Sequence, residues 1–350
     1  MVLSSITHST AEQHSIDIGI QSSSFQWAVK PQLLLQRMQG KLEDMLLGKQ
    51  AEVKQVLVCM LAGGHLLLED VPGVGKTMLA TSIARLLGGQ FHRIQFTSDL
   101  LPADIVGGMV LDREDRGLVF RPGPIMANIV LGDELNRSSS RTQSALLEAL
   151  EDRTVSVEGH SYALPEPFVF IATQNPMQYE GTHGLPEAQR DRFMMQLSLG
   201  YPSKQDEMSL LTQYAEGTRY EVTKLRPVMS DVEWLQMQKE IQYIYVHPSL
   251  IEYMTDVASA TRTSVDCKLG LSPRALRDWL RAGQAAAYFE GRSFILPDDM
   301  LAQAVAVLSH RIELRSRSNN SSSKEQFISK LLSDIPVVKM GNAGKGRGKR

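Results

Sequence analysis

The stretch Leu66-Leu67-Leu68-Glu69-Asp70-Val71-Pro72-Gly73-Val74-Gly75-Lys76-Thr77-Met78-Leu79-Ala80 constrains this chain more than any other. It reads as an apolar strand, a glycine-containing loop closing on Gly-Lys-Thr, and the start of a helix. Such a loop turns backbone N–H groups inward ahead of a helix N-terminus, which matches the charge of a polyphosphate. Gly73 and Gly75 let the backbone approach phosphates with no side chain in the way. Lys76 is placed to reach β- and γ-phosphates, and Thr77 to set its hydroxyl on Mg²⁺. The strict pattern has glycine where this chain has Asp70. The plainer alternative is a glycine turn with a solvated lysine.

A partner strand strengthens the first reading. Ala127-Asn128-Ile129-Val130-Leu131-Gly132-Asp133-Glu134 is an apolar run ending in two carboxylates, which puts both at the C-terminal edge of a sheet, where α/β ligands sit. Asp133 suits a Mg²⁺ shell and Glu134 a general base that polarises water. A third run, Phe168-Val169-Phe170-Ile171-Ala172-Thr173, leads into Gln174-Asn175-Pro176. Its amide can orient water or touch a γ-phosphate, while Asn-Pro alone is an ordinary turn signal. Two arginine-bearing segments follow, Glu187-Ala188-Gln189-Arg190-Asp191-Arg192-Phe193 and Ser272-Pro273-Arg274-Ala275. Arg190 reads as a surface salt bridge. Arg274 falls in the first turn of a helix, where its charge opposes the dipole, and a nearby anion such as phosphate would relieve that.

Organisation along the 350 residues fits this arrangement. Residues 1–28 are rich in Ser, Thr and Gln and read as a leader. Over 29–202 strands alternate with helices, the strands centring on 66–68, 94–96, 129–131 and 168–172. Helical patterns fill 203–315, with sharp starts at Ser272-Pro273 and Pro297-Asp298. Residues 316–350 form a polar, glycine-rich and basic tail with a short helix near 327–332. Hydrophobic residues make up 43% and charged residues 22%, ordinary proportions for a globular chain. The net charge of −2 gives no bulk attraction to nucleic acid or membranes. Cys59 and Cys267 stand far apart and read as buried apolar residues in a reducing cytoplasm. No apolar run is long enough to span a bilayer, and residues 1–13 lack the basic start and apolar core of a targeting segment.

Several of these segments, in this order, resemble the MoxR family of AAA+ ATPases over about residues 35–315. The resemblance rests on the Leu68-to-Thr77 loop, Ile94-Gln95-Phe96-Thr97-Ser98-Asp99-Leu100-Leu101-Pro102, Asp133-Glu134-Leu135-Asn136-Arg137, Ala172-Thr173-Gln174-Asn175-Pro176, Leu185-Pro186-Glu187-Ala188-Gln189 and Ser272-Pro273-Arg274-Ala275. It implies a P-loop NTPase: an αβα sandwich followed by a smaller all-α lid. Asp70 is tolerated in that family. Pro72, Gly73, Val74, Gly75, Lys76, Thr77 and Met78 would bind ATP, with Lys76 and Thr77 as Walker A. Asp133 and Glu134 would be Walker B, with Thr77 and Asp133 at Mg²⁺. Asn175 looks like sensor 1, Arg192 like the arginine finger and Arg274 like sensor 2. Residues 107–121 and 154–164 fit the helix-2 insert and a hairpin before sensor 1; two ordinary surface hairpins would look the same. Ser138-Ser139-Ser140-Arg141 stands where the family commonly has prolines and a Lys, which bears on the helix start there. Arg190 replaces an apolar residue, so two neighbouring arginines compete as the finger.

The resemblance also implies a ring, usually a hexamer, with nucleotide at each subunit junction. It implies ATP-driven maturation or remodelling of a protein client, including metal-cofactor insertion. A separate partner with a von Willebrand factor A domain often takes part. ATP is preferred to GTP because no Asn-Lys-x-Asp motif is present. One rival is a nucleic-acid-stimulated motor, with the tail as strand contact. The near-zero net charge and 6% aromatic content speak against it. The other is a nucleotide-gated scaffold with little hydrolysis, disfavoured by the intact Asp133 and Glu134.

Overall fold

Strand alternation divides the interior into two cores. Leu66 and Leu68, Ile129 and Leu131, and Val169 and Ile171 face one side; Leu67, Val130, Phe170 and Ala172 face the other, as the period of two requires. The computed structural model describes residues 25–112, 117–175, 185–218, 221–315 and 320–337. Residues 1–24 of the leader, the hairpin turn at 113–116, Pro176 and the basic end 345–350 lie outside the described residues.

Helices α1 (Pro31–Met45) and α2 (Gln50–Leu61) precede β1 (Leu66–Glu69). Then come α3 (Lys76–Leu86), β2 (Phe91–Gln95), the short α4 (Pro102–Val106), a hairpin β3 (Gly107–Leu111) and β4 (Leu118–Pro122), and β5 (Ile129–Asp133). Next are α5 (Ser140–Asp152), a second hairpin β6 (Thr154–Val157) and β7 (His160–Ala163), β8 (Val169–Gln174), α6 (Glu187–Arg190) and β9 (Met195–Leu197). The central sheet has the order β2-β5-β8-β1-β9 and is parallel throughout. The chain leaves β1 for the far edge, returns through β5 and β8, and crosses β1 to reach β9. That change of direction opens a crevice at the C-terminal ends of β1 and β8, the switch point where ligands bind in such sheets. The two hairpins lean together through stacked Phe120 and Tyr162, ring centroids 3.9 Å apart.

Beyond β9 the elements are α7 (Lys204–Glu216), α8 (Asp231–Ile241), α9 (Pro248–Thr263), β10 (Cys267–Leu269), α10 (Pro273–Phe289), α11 (Pro297–Leu308), β11 (Glu313–Leu314) and α12 (Ser321–Asp334). This helical part carries one small antiparallel pair, β10 with β11, that hydrophobic patterning did not disclose. Such short segments are too brief to show a period. Trp234, Trp279, Val257 and Met300 are buried in the same core that covers one face of the sheet, so sandwich and helices share one interior. Trp279 Nε1 donates to Met300 O at 2.7 Å and joins α10 to α11.

Both ends of the described chain are packed. Trp27 Nε1 donates to Glu240 Oε1 at 3.0 Å, so residues read as the end of the leader dock on α8. Residues 321–334, inside the stretch read as a tail, form α12, whose Lys324 and Ile328 are buried. Ser321 Oγ donates to Glu69 Oε2 at 2.6 Å, and Lys324 Nζ to Glu313 Oε1 at 2.9 Å. The serines that start this helix look like linker composition, and its anchors are contacts distant in sequence. Asn320 caps it by accepting from Ser323 N, a role that favours Asn outside the helix proper.

Candidate functional site

A cavity of about 560 Å³ opens at the switch point. Pro72, Gly73, Val74, Gly75, Lys76, Thr77 and Met78 form its floor, and Asp133, Glu134 and Asn175 line it from the next strand ends. The loop reaches this shape because Gly73 (φ 90°) and Gly75 (φ 99°) adopt left-handed backbone, which costs a side-chain-bearing residue about 1–2 kcal/mol. Gly75 is also the N-cap of α3, so the helix N-terminus opens on the loop. Lys76 Nζ donates to Asp70 O and Val71 O, both at 3.0 Å, and so folds back over its own loop. Burial holds its ammonium below the usual lysine range, against the opposing pull of Asp70, Asp133 and Glu134. Thr77 is exposed to the cavity.

Asp70 has a definite task. Its carboxylate is buried and accepts from Ser198 Oγ (2.8 Å), Leu199 N (2.7 Å) and Gly200 N (2.9 Å). Glycine at this position would leave those donors unpaired, so the departure from the strict loop pattern fastens the loop to the chain after β9. The cavity also has apolar lining from Met45, Leu46, Leu47, Leu210 and Tyr214, and Lys49 lines it too, its Nζ donating to Tyr201 O at 2.9 Å.

The two carboxylates are held differently. Asp133 ends β5 and is buried, with Oδ2 2.6 Å from Arg93 Nε and Oδ1 accepting from Thr173 Oγ1 at 3.1 Å. Glu134 steps into left-handed backbone, φ 59°, which turns it out of the strand direction. Strain of this kind is retained where surrounding structure fixes it. Here Thr173 Oγ1 accepts from Glu134 N at 3.0 Å. Glu134 Oε2 accepts from Gln95 Nε2 (3.1 Å) and Arg137 Nη1 (2.7 Å). The serine run after this strand supplies a cap: Ser139 Oγ accepts from Thr142 N, and α5 starts at Ser140.

Arg192 and Arg274 are not among the residues lining the cavity. They meet on the other side of the sandwich at Glu151, which accepts from Arg192 Nε at 2.9 Å and from Arg274 Nη1 at 3.1 Å. The anion relieving Arg274 at its helix N-terminus is therefore this carboxylate. Arg190 turns inward instead, onto Glu313, which Lys324 shares. Between the two lies Asp191, which accepts from the α10 cap Ser272 Oγ at 3.1 Å and faces the fully buried Arg311 at 3.6 Å. Arg311 also binds Asp278 at 2.7 Å and Phe193 O at 2.7 Å.

Sequence reasoning missed Arg93, Gln95, Thr173 and Glu151. Arg93 and Gln95 alternate along β2, a period-two signal that a reading centred on residues 94–96 left unused. Glu151 had a weak signal as an acid in the last turn of a helix, where the dipole disfavours it. Among the described residues, no group of three or more His, Cys, Asp or Glu could hold a metal ion. No helix among them is long and apolar enough to cross a membrane.

The chain is similar to known proteins along most of its length. The family profile described as "ATPase family associated with various cellular activities (AAA)" matches residues 65–195, and an AAA lid domain matches 259–331. A Bacillus subtilis relative, named Uncharacterized protein YeaC, is 41% identical over 83% of this chain and 91% of its own length. Chaperone MoxR1 of Mycobacterium tuberculosis is 37% identical over 80% of this chain and 76% of its own. Protein MoxR of Paracoccus denitrificans is 28% identical over 79% and 87%. The crystal structure of a candidate ATPase from Cytophaga hutchinsonii superposes with a TM-score of 0.80 at 32% identity, covering 88% of this chain and 96% of that one. By the extent of these similarities and the matched ATPase and lid segments, this chain belongs to the MoxR family of AAA+ ATPases.

Proposed function

We propose that this chain hydrolyses ATP at the switch-point cavity and uses the cycle to remodel or mature a protein client. The observation that carries the hydrolytic reading is the convergence of the Gly73–Lys76 loop, Asp133, Glu134 and Asn175 on one cavity. The apolar lining that includes Met45 and Tyr214 suits a nucleobase. Lys76 would exchange the carbonyls of Asp70 and Val71 for β- and γ-phosphate oxygens, one set of oxygen acceptors for another. Glu134 would accept the proton of the attacking water once its carboxylate leaves Gln95 and Arg137. Asn175 would orient that water.

The donor set fits Mg²⁺: one hydroxyl, Thr77, and one carboxylate, Asp133, leave the remaining positions to phosphate and water, as this cation prefers. When bound, the cation neutralises charge on the β- and γ-phosphates. Arg192 and Arg274, absent from their own cavity, would serve the site of a neighbouring subunit in a ring, a hexamer by family resemblance. The chaperone reading has support of two kinds. One relative is named as a chaperone, and the β3–β4 hairpin leaves Val110, Leu111, Leu118 and Val119 exposed, the kind of apolar surface that marks a protein contact. A von Willebrand factor A partner and metal-cofactor insertion remain part of this proposal, as does a cytoplasmic site of action.

Nucleotide affinity and phosphate release in two variants test the hydrolytic reading. Lys76→Ala should lose both, because the phosphates lose their cation. Glu134→Gln should bind ATP and stop turning over, because an amide cannot take the proton. Wild-type hydrolysis by Glu134→Gln would overturn the base assignment.

A further inference from the structure

Resting on that reading, we propose that Glu151 is a positioning residue that holds Arg192 and Arg274 together as one cationic unit for a phosphate on the adjoining subunit. The pairing resolves two local conflicts at once. Glu151 sits in the last turn of α5 and Arg274 in the first turn of α10, and each charge opposes its own helix dipole. Joined, each cancels the other's penalty. One carboxylate between two guanidinium groups leaves a net positive charge, so the cluster still attracts an anion. The two arginines are engaged differently: Arg274 binds Glu151 through Nη1. Glu151 is engaged by Arg192 through Nε, which leaves the two terminal nitrogens for the forked contact that guanidinium makes with phosphate. Bonding to Arg192 holds the Glu151 carboxyl below the usual range, so it stays charged near neutral pH.

The mount is rigid. His65 is buried, accepts from Phe170 N through Nδ1 at 3.1 Å, and so carries its proton on Nε2, which donates to Leu150 O at 3.1 Å. On the other side Arg153, in left-handed backbone at φ 53°, donates to Gly63 O at 3.1 Å. Residues 150 and 153 are thus both tied to the turn that enters β1, the strand feeding the nucleotide loop. Glu151 stands between them and reaches one arginine from the sandwich and one from the helical part. A guanidinium held this way needs no reorientation when a phosphate arrives, the form of preorganisation worth most in transition-state stabilisation.

Steady-state ATPase of the full chain, with nucleotide affinity measured separately, tests this. Glu151→Gln should lower kcat by about ten- to a hundredfold while leaving KM and ATP affinity within about twofold. Glu151→Asp should recover part of the loss, and also carries the test if the glutamine variant proves unstable. In an Arg192→Ala/Arg274→Ala background, Glu151→Gln should cost nothing further, because it acts only through those side chains. Wild-type or faster turnover by Glu151→Gln, beside impaired arginine variants, would overturn the proposal. So would an equal fold-loss in both backgrounds, which would make Glu151 merely structural. If the arginine variants themselves keep full activity, the shared-site reading fails first and the proposal with it.

Discussion

At the cavity the candidate site residues sit on strand ends and one glycine loop, close together in sequence within each motif. At the arginine face they sit on helix ends and turns, and Glu151 reaches partners 41 and 123 positions away. In the cavity the loop lysine Lys76 is met by the carbonyl oxygens of Asp70 and Val71, whereas at the arginine face Arg192 and Arg274 share one carboxylate. The first is a place that can accept phosphate by exchanging acceptors. The second is a surplus of positive charge, which the proposed function assigns to the site of a neighbouring subunit. Their difference suggests a reaction centre divided between copies of the chain.

The largest expected effects separate the two regions kinetically. Lys76→Ala should abolish binding and turnover together. Arg192→Ala should lose about a thousandfold or more in turnover, the scale of an arginine finger, with ATP affinity retained. Parallel calorimetric titration and phosphate-release assays read the split. Equal loss of affinity in both would erase the distinction.

Next in size is the junction that sets the arginine face against the sandwich. Asp278→Ala would leave the buried Arg311 guanidinium with only the more distant Asp191 as a counter-charge. Removing one partner of a buried pair costs about 3–5 kcal/mol, to be read as a loss of denaturant midpoint.

The smallest effect concerns pH and falls on the mount of Glu151. Burial lowers the His65 pKa from 6.5 to about 4, and lowers that of His310 in the same direction. The unfolded chain therefore binds more protons between these values. Stability is intact above pH 6.5 and falls as pH drops toward 4. His65 contributes at most about 3 kcal/mol of that fall. Unfolding midpoints across this range, in wild type and in a His65 variant, check it; a flat profile would show that His65 carries no such shift.

Legibility in the sequence follows the same division. The central strands, the loop and the carboxylate pair were readable because strand alternation, glycine conformations and strand-end acids are local signals. Asp70 was visible as a departure, but its three donors come from residues 198–200, which no spacing rule connects to it. Arg274 was flagged by its conflict with the helix dipole, and the same argument applied to Glu151 would have paired them. Of helix α12 only the part near 327–332 was legible; its first turns escaped because Asn, Ser and Lys around residues 319–324 look like linker composition, while its anchors, Glu69 and Glu313, are supplied by the fold.

The division of the centre between subunits has one direct test. Lys76→Ala and Arg192→Ala proteins, each strongly impaired alone, are mixed under conditions where exchange into common rings is verified by labelled subunits. Divided sites predict recovered phosphate release, because some junctions then join an intact loop from one subunit to an intact arginine from the next. Verified mixed rings no faster than the parent proteins would contradict the account.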